Sequence, residues 1–544
     1  MKEAPRTRWL GLASLALGLA MIIVDATIVN VAIPSIIEDL GIQLTDAEWV
    51  NTVYSLVFAA LLVTVGRLGD LYGRKRIYLG GLALFGGASL LCASAPSGTL
   101  LIAARALQGI GAACILPSTL SSVNAMFRGR ERAIAFGIWG SVIGGMAALG
   151  PLVGGWLTTD FSWRWAFYIN LPIGLLAGTV AFLTVPETRD PSASRGIDPM
   201  GILTSAIGFA ALVFGLIEGQ RYGWWRPTET FRIGSWEWPL ASLSPVPLAL
   251  VIAAVLLPFF ALYELRRVAA NRPVLLDLRL FRYRSFRWGN LAALIVSLGE
   301  FGIVFVLPLY LQAVLGYTAL QTGLVLLATA IGAFLGGPAA ANLAQRFGAR
   351  QVVRAGMLFE AIGLVLLVPF LSPDTTGWRL APALFLYGLG VGLATAQLTS
   401  VILAEVPTAQ SGQASGTQST TRQVGAALGI AILGAVLAAG LVSGTETRLT
   451  EQLGLPAQQA EQLARATKQS AGQILVQLRA QPGSQEIMRA IEDAFTDAAR
   501  RTALVAAAFI AVGLVASWLI PDIRPEREPT ATSESATAES PLTA

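Results

Sequence analysis

The chain has 544 residues, 54% hydrophobic and 13% charged, whereas an ordinary soluble domain carries roughly 25% charge, so most of it cannot face water. Histidine is absent and cysteine occurs twice, which excludes imidazole chemistry, suggests neither a disulfide framework nor a metal site, and leaves carboxylates as the groups able to exchange a proton near neutral pH. The net charge of +5 comes from loop arginines; it speaks for membrane topology and not for a nucleic-acid partner.

About twenty apolar residues cross a hydrocarbon core. The first such run, Trp9 to Pro34, is too long for the apolar region of a signal peptide, contains Asp25 and precedes many similar runs, so it is expected to stay as a span. Spans are predicted near 9–33, 47–66, 77–95, 99–124, 133–157 and 166–186, then 199–219 and 246–265, then 288–311, 321–344, 352–371, 380–404, 417–442 and 502–520. That is fourteen in a six, two, six order, an all-α polytopic membrane protein with both termini on one side. Cys92 and Cys114 fall inside these runs as small hydrophobes. Lys2, Arg6 and Arg8, the turn at 66–76, Arg128, Arg130 and Arg132, the arginine-rich 266–287 segment, and Arg346, Arg350 and Arg354 share one face. The first loop of the opposite face carries Glu38, Asp39, Asp46 and Glu48, so the basic face is expected to be cytoplasmic.

Three stretches are not spans. Residues 220–245 hold Trp224, Trp225, Trp236 and Trp238 and are read as an external segment anchored in the headgroup interface, the commoner use of tryptophan there, with gating of a lipophilic substrate as the alternative. Residues 444–500 are polar, with Ile487, Ile491 and Phe495 at helical spacing, and predict an external helical excursion broken at Pro482-Gly483. Residues 521–544, rich in Ser, Thr, Glu and Pro, predict a disordered cytoplasmic tail. The expected units are therefore an N-terminal half over 1–187, a two-helix linker over 188–287 and a C-terminal half over 288–520. A weak internal repeat supports the division: Ala341 to Arg350 follows the second helix of the last six as Gly66 to Arg76 follows the second helix of the first six, with Gln345 in the place of Asp70. Paired six-helix halves point to a transporter with its site at the midplane between them.

Several motifs then occur in order. Gly66 to Arg76 is glycine-rich and basic around Asp70; Asp25 to Pro34 reads DATIVNVAIP; Arg105 to Gly111 reads RALQGIG; Gly150 to Gly155 reads GPLVGG; and Trp163 to Pro172 reads WRWAFYINLP. Together these closely resemble the fourteen-helix drug:proton antiporters of the major facilitator superfamily, the QacA/EmrB type, over nearly the whole chain. The resemblance implies the major facilitator fold in a bacterial inner membrane, a functional monomer, and export of lipophilic drugs, cationic ones among them, in exchange for protons. It leaves a periplasmic adaptor protein open as a partner. It also links the acid of the first-helix signature, Asp25, to proton or cation coupling. Residues of the best-known members that would be acidic in helix thirteen are missing; that helix offers Arg422 instead, which speaks against dicationic drugs.

An ionised carboxylate at a helix centre costs about 2.5–3.5 kcal/mol on insertion scales, so such residues usually face a cavity and serve a pathway. Asp25 is the leading proton-coupling candidate, with a fixed ion pair or packing hydrogen bond as the alternative. Arg105 falls at a similar depth and could tune it, or could satisfy backbone carbonyls as a static charge. Glu300 and Glu360, near the middle of helices nine and eleven, are read equally as further proton sites or as protonated acids hydrogen-bonded in the bundle. Gly150, Pro151, Gly154 and Gly155 make helix five thin and bendable, as a hinge or seal or as plain packing. On the cytoplasmic side Gly66, Gly73 and Arg74 shape the turn from which Asp70 could reach the dipole-positive start of helix thirteen, with Arg422 in its first turns, as a latch. A local Glu405–Arg422 pair is the alternative. Without a P-loop, nucleophile elbow or metal-ligand spacing, no enzyme, cofactor or ATP dependence is expected. Export of a lipid, cell-envelope precursor or specific metabolite would use the same scaffold. A non-transporting sensor or assembly subunit is the third reading, disfavoured by the intact Asp25, Arg105 and Asp70.

Overall fold

The apolar runs fold as helices throughout the computed structural model, which describes residues 5–42, 44–189, 196–233, 236–240, 242–470, 472, 474–479, 481 and 483–522. The first six spans are built from α1 (Pro5–Leu40), α2 (Leu44–Tyr72), α3 (Arg74–Ala93), α4 (Gly98–Met126), α5 (Gly129–Asp160) and the pair α6 (Trp165–Tyr168) and α7 (Asn170–Thr184). Two further spans follow, α8 (Pro199–Tyr222) and α9 (Pro245–Ala269), joined by a loop with a two-residue-per-strand hairpin, β1 (Arg232–Ile233) and β2 (Trp236–Glu237). The last six are α10 (Arg284–Ala313), α11 (Ala319–Phe347), α12 (Ala349–Leu367), α13 (Gly377–Ile402), α14 (Ser411–Glu451) and α17 (Gln485–Ala516), with α15 (Ala457–Gln469) and α16 (Ile474–Arg479) between the final two. Among the described residues, thirteen helices are long and apolar enough to cross a membrane, and fourteen when the two parts of α5 count as one span. The chain is a multi-pass membrane protein.

Local signals set the helix starts. Ser97 Oγ accepts from Leu100 N ahead of α4, Asp198 accepts from Gly201 N with Pro199 opening α8, and Thr318 with Gln321 forms a reciprocal capping box on α11. The bend of α5 also has a local cause. Gly129–Ala147 and Leu149–Asp160 meet at 44°, and the ring of Pro151 clashes with the carbonyl four residues back, that of Ala147.

The first and last six helices meet through glycines. A Cβ on Gly137 would lie 2.5 Å from Gly337 O, and one on Gly66 would lie 2.4 Å from Gly412 O, so α5 with α11, and α2 with α14, touch backbone to backbone. Helix α8 bridges α2 and α14: Thr52 Oγ1 donates to Glu218 at 2.7 Å, and Gln220 Nε2 donates to Ala431 O at 3.1 Å. Both ends of the described chain lie at the basic face, where Arg8 pairs with Glu131 and Arg350 donates to Ile520 O.

The non-span segments are more folded than their polarity suggests. In the 223–244 loop Trp225 is 73% exposed, but Trp224 covers Gly219, and Trp238 joins an aromatic cluster with Trp49, Phe214, Tyr222 and Phe231. The segment is thus partly packed onto α2 and α8; the side chain of Trp236 lies outside the described residues. The excursion at 444–500 is helical as expected. Ile491 and Phe495 are buried with Ile487 against the ends of α10 and α13, and Arg448 pairs with Asp497 and Arg479 with Glu492. Pro482 lies outside the described residues, Gly483 turns with φ +88°, and the expected disordered tail also lies outside them beyond Asp522.

Candidate functional site

In the first six helices a polar cluster is assembled from five elements. Asp25 on α1 and Arg105 on α4 are both completely buried, with Arg105 Nη1 2.5 Å from Asp25 Oδ2. Asp25 Oδ1 accepts from Asn170 Nδ2 of α7 at 2.7 Å and from Gln108 Nε2 at 3.2 Å. Gln108 also accepts from Arg105 at 2.8 Å and donates to Ser89 Oγ of α3 at 2.7 Å. Arg105 Nε donates to Val50 O of α2 at 3.0 Å, and its guanidinium lies 4.2 Å from the ring centre of Tyr54. A buried ion pair is retained in such a setting only when its remaining lone pairs and protons are satisfied, and here they nearly are: Arg105 Nη2 is the one guanidinium nitrogen without a partner.

Asp25 and Arg105, at similar depth by their positions along α1 and α4, are brought into contact by the packing of the helices. The expectation that Asp25 faces a cavity is corrected. Asp25 points into the six-helix bundle, while Ile22, Ile23, Ala26 and Thr27 of the same helix line the central space. Tyr54 stands between, lining the space and stacking on Arg105. Gln108, Asn170, Ser89 and Tyr54 were not singled out. Gln108, one helical turn beyond Arg105, shares its face, and Asn170 is a lone amide opening an apolar run; both signals were readable. Ser89 and Tyr54 gave none.

The central space lies between the halves. A cavity of about 200 Å³ takes Tyr54, Phe58, Leu116 and Trp139 from the first six helices and Glu300, Phe301, Tyr387 and Arg422 from the last six. A second compartment of about 320 Å³ shares Thr27, Gly144, Val304 and Tyr387 with it and extends away from the basic face past Val31, Pro34, Pro151 and Gln312. Arg422 Nη2 donates to Glu300 Oε2 at 3.2 Å, so the cavity's two opposite charges form a pair. Glu360 is apart from it: fully buried on α12, it packs on Gly390 of α13, and neither carboxylate oxygen has a hydrogen-bond partner. The alternative of a glutamate hydrogen-bonded inside the bundle therefore does not describe Glu360.

At the basic face Asp70 is fully buried. Its Oδ1 accepts from Arg74 Nη2 at 2.7 Å and from Gly412 N at 2.8 Å, and its Oδ2 accepts from Gln413 N at 2.9 Å. The last two are orphan amides of the α14 N-terminus, where the helix dipole favours an anion. Arg74 also donates to Thr408 O at 2.7 Å. Gly73 turns at φ +110°, and a Cβ there would lie 2.5 Å from the Glu187 carboxylate, which accepts from the amides of Lys75 and Arg76. Two expectations are corrected. Helix α14 starts at Ser411, so Arg422 is about 16 Å along it at 1.5 Å per residue, paired with Glu300 and not among the partners of Asp70. Glu405 does not pair with Arg422; it accepts from Ser285 N at 2.9 Å. The helix, expected over 417–442, starts six residues earlier at Ser411, whose Oγ accepts from Asn124 Nδ2 of α4 at 2.7 Å.

In α5 the glycines differ. A Cβ on Gly150 would be 1.7 Å from Thr27 Oγ1 and one on Gly154 2.7 Å from Ile28 Cγ1, both on α1, whereas Gly155 clears Leu320 of α11 by 3.4 Å.

This geometry meets known proteins at the level of the whole chain. Residues 15–199 and 199–430 match the profile of the Major Facilitator Superfamily. The chain belongs to that superfamily. Among similar members are a puromycin resistance protein of Streptomyces alboniger, 36% identical over 75% of this chain and 77% of its own, and a methylenomycin A resistance protein of Bacillus subtilis, 35% identical over 72% and 79%. The multidrug efflux pump LfrA of Mycolicibacterium smegmatis is 34% identical over 76% and 77%. The human organic anion transporter MFSD10 has the same fold, with a TM-score of 0.58 over 95% of this chain and 100% of its own at 13% identity. As a member of this superfamily the chain is a membrane transporter of small substrates and not an enzyme.

Proposed function

We propose that this superfamily member exports lipophilic drugs in exchange for protons by alternating access. The observation that carries the reading is the pairing of an apolar cavity between two six-helix halves with a buried Asp25–Arg105 ion pair one tyrosine away. The antibiotic-resistance and efflux relatives support the substrate class. Helices of 1–187 and of 288–520 act as the two moving bodies, with 188–287 linking them, and the protein works as a monomer in the bacterial inner membrane with its basic face and both termini cytoplasmic. Asp70 bound to α14 then closes the cytoplasmic side, and the outer compartment is the exit.

Protonation of Asp25 would release Arg105, whose guanidinium rests on the tyrosine that walls the cavity; substrate and proton thus compete through Tyr54 for one arrangement of α1, α2 and α4. Glu300 and Arg422 neutralise each other in the cavity, which favours neutral or singly charged amphipathic substrates over dications. Transport in proteoliposomes with an imposed pH gradient tests this. Wild type should move lipophilic dyes several-fold faster with the gradient than without, and Asp25→Asn should lose that difference. Equal rates in all four conditions would sink proton coupling, and preferential movement of a fluorescent lipid would replace drugs as the cargo.

A further inference from the structure

The two halves repeat one device with one part missing. At the first copy, the end of α2 delivers Asp70 to the start of α14, and Gly66, Gly412 and Gly416 let the backbones touch. At the second copy, the end of α11 meets the start of α5. There Ala341 stands in the place of Gly66 and Gln345 in the place of Asp70, so no carboxylate arrives. A cavity of about 70 Å³ remains between them, lined by Gly129, Arg130 and Arg132 of α5, Gln345 of α11, and Gln397 and Ser400 of α13. One water needs roughly 10–15 Å³ by the same measure, so an ion of several heavy atoms fits.

The lining calls for negative charge. The N-terminus of α5, a helix of 32 residues, has no side-chain cap, and its first amides carry the positive end of the helix dipole. Gln397 is 1% exposed, and its Nε2, a donor, has no partner; Arg132 Nε is likewise buried without one. A buried donor left unpaired keeps its full desolvation penalty, which a bound acceptor would remove. The acid of the α5 first turn, Glu131, is paired with Arg8 at 3.1 Å and does not line the cavity.

We propose that this cavity is an anion-binding site which takes one phosphate group, the exogenous counterpart of the Asp70 carboxylate, and thereby ties α5 to α11 and α13 at the basic face. A lipid headgroup and free phosphate share that chemistry. The site does not depend on what the protein transports.

Hydrogen–deuterium exchange on the full-length protein in phosphatidylcholine nanodiscs provides the test. One arm titrates inorganic phosphate against chloride at equal ionic strength; the other replaces part of the lipid with phosphatidylglycerol and omits phosphate. Exchange of the amides at the start of α5 should slow about tenfold, equivalent to about 1.4 kcal/mol, in the first arm if free phosphate is the ligand and in the second if a headgroup is. Arg132→Gln and Gln397→Leu should abolish the protection. Gln345→Glu, at an exposed position that leaves folding intact, should supply the missing acid, protecting the same amides without ligand and removing the response. No protection in either arm, protection by chloride as strong as by phosphate, or full protection retained in both loss variants would overturn the proposal.

Discussion

Tyr54 separates the charge pair from the cavity by the thickness of one ring, so its ring and its hydroxyl should matter differently. The hydroxyl makes one long bond, 3.3 Å to Ile22 O. Tyr54→Phe should therefore keep gradient-driven transport near wild type, whereas Tyr54→Ala should expose the Asp25–Arg105 pair to the cavity and lower the coupled rate about tenfold, read as dye efflux per imposed pH unit; equal effects of the two variants would place no weight on the ring. Glu300 and Glu360 make a second contrast. Glu300→Gln strips Arg422 of its partner, and breaking a buried pair costs up to about 3–5 kcal/mol, so thermal unfolding in detergent should drop clearly and recover in Glu300→Gln combined with Arg422→Gln. Glu360 holds no hydrogen bond, and Glu360→Gln should leave thermal stability close to wild type. The sequence singled out both glutamates as intramembrane acids, but whether an arginine or a glycine lay opposite depended on helix packing that spacing along one chain does not encode.

At the scale of elements, α5 and the loops opposite the basic face carry separate predictions. Gly150→Ala should destabilise by roughly 1–3 kcal/mol, as overpacking does, because its Cβ would enter the space of Thr27 on α1; Gly155→Ala, with ordinary clearance, should not. Pro151→Ala restores the missing helical hydrogen bond and should straighten α5, with turnover falling several-fold while the protein stays folded, measured by transport alongside circular dichroism. The loops opposite the basic face should contribute no pH response. Arg164 holds the Asp39 carboxyl below its ordinary value through a hydrogen bond, and Arg489 does the same for Asp374. A lowered folded pKa contributes stability above the unfolded value, about 3.8–3.9 for Asp, that is lost only as pH falls through the lower folded one. Both pairs therefore stay charged across the pH range of transport, and Asp374→Asn should leave the pH profile of efflux unshifted.

For the whole molecule the decisive equilibrium is closure of the basic face. Asp70→Asn removes a charge from two amide bonds and one arginine; hydrogen bonds to charged groups contribute about 1.5–3 kcal/mol, enough for a ten- to hundred-fold shift in the two-state ratio. Spin labels on Tyr72 and Ala409 should report a longer separation in the variant, turnover should fall, and substrate affinity in the outward-facing state should be largely kept. An unchanged distance distribution would remove Asp70 from the latch.

The fourteen apolar runs, their six, two, six order and the motifs of the superfamily are properties of the chain alone, because a span must satisfy its backbone internally and so must appear as a long apolar run. For the same reason Asp25 and Arg105 stood out, because charge within such runs is costly enough to be rare, whereas Asp70 stood out as the acid of the glycine-rich basic turn between two of them. What only the tertiary structure decided is who faces whom. Asp25 turns away from the cavity behind Tyr54, Arg422 belongs to Glu300, Glu405 caps toward Ser285, and Asp70 reaches amides 342 and 343 positions further along the chain. Those partners are fixed by glycine contacts between helices distant in sequence, where approach depends on the absence of a side chain on both surfaces at once. A single sequence records each half of that condition without recording that the two halves meet.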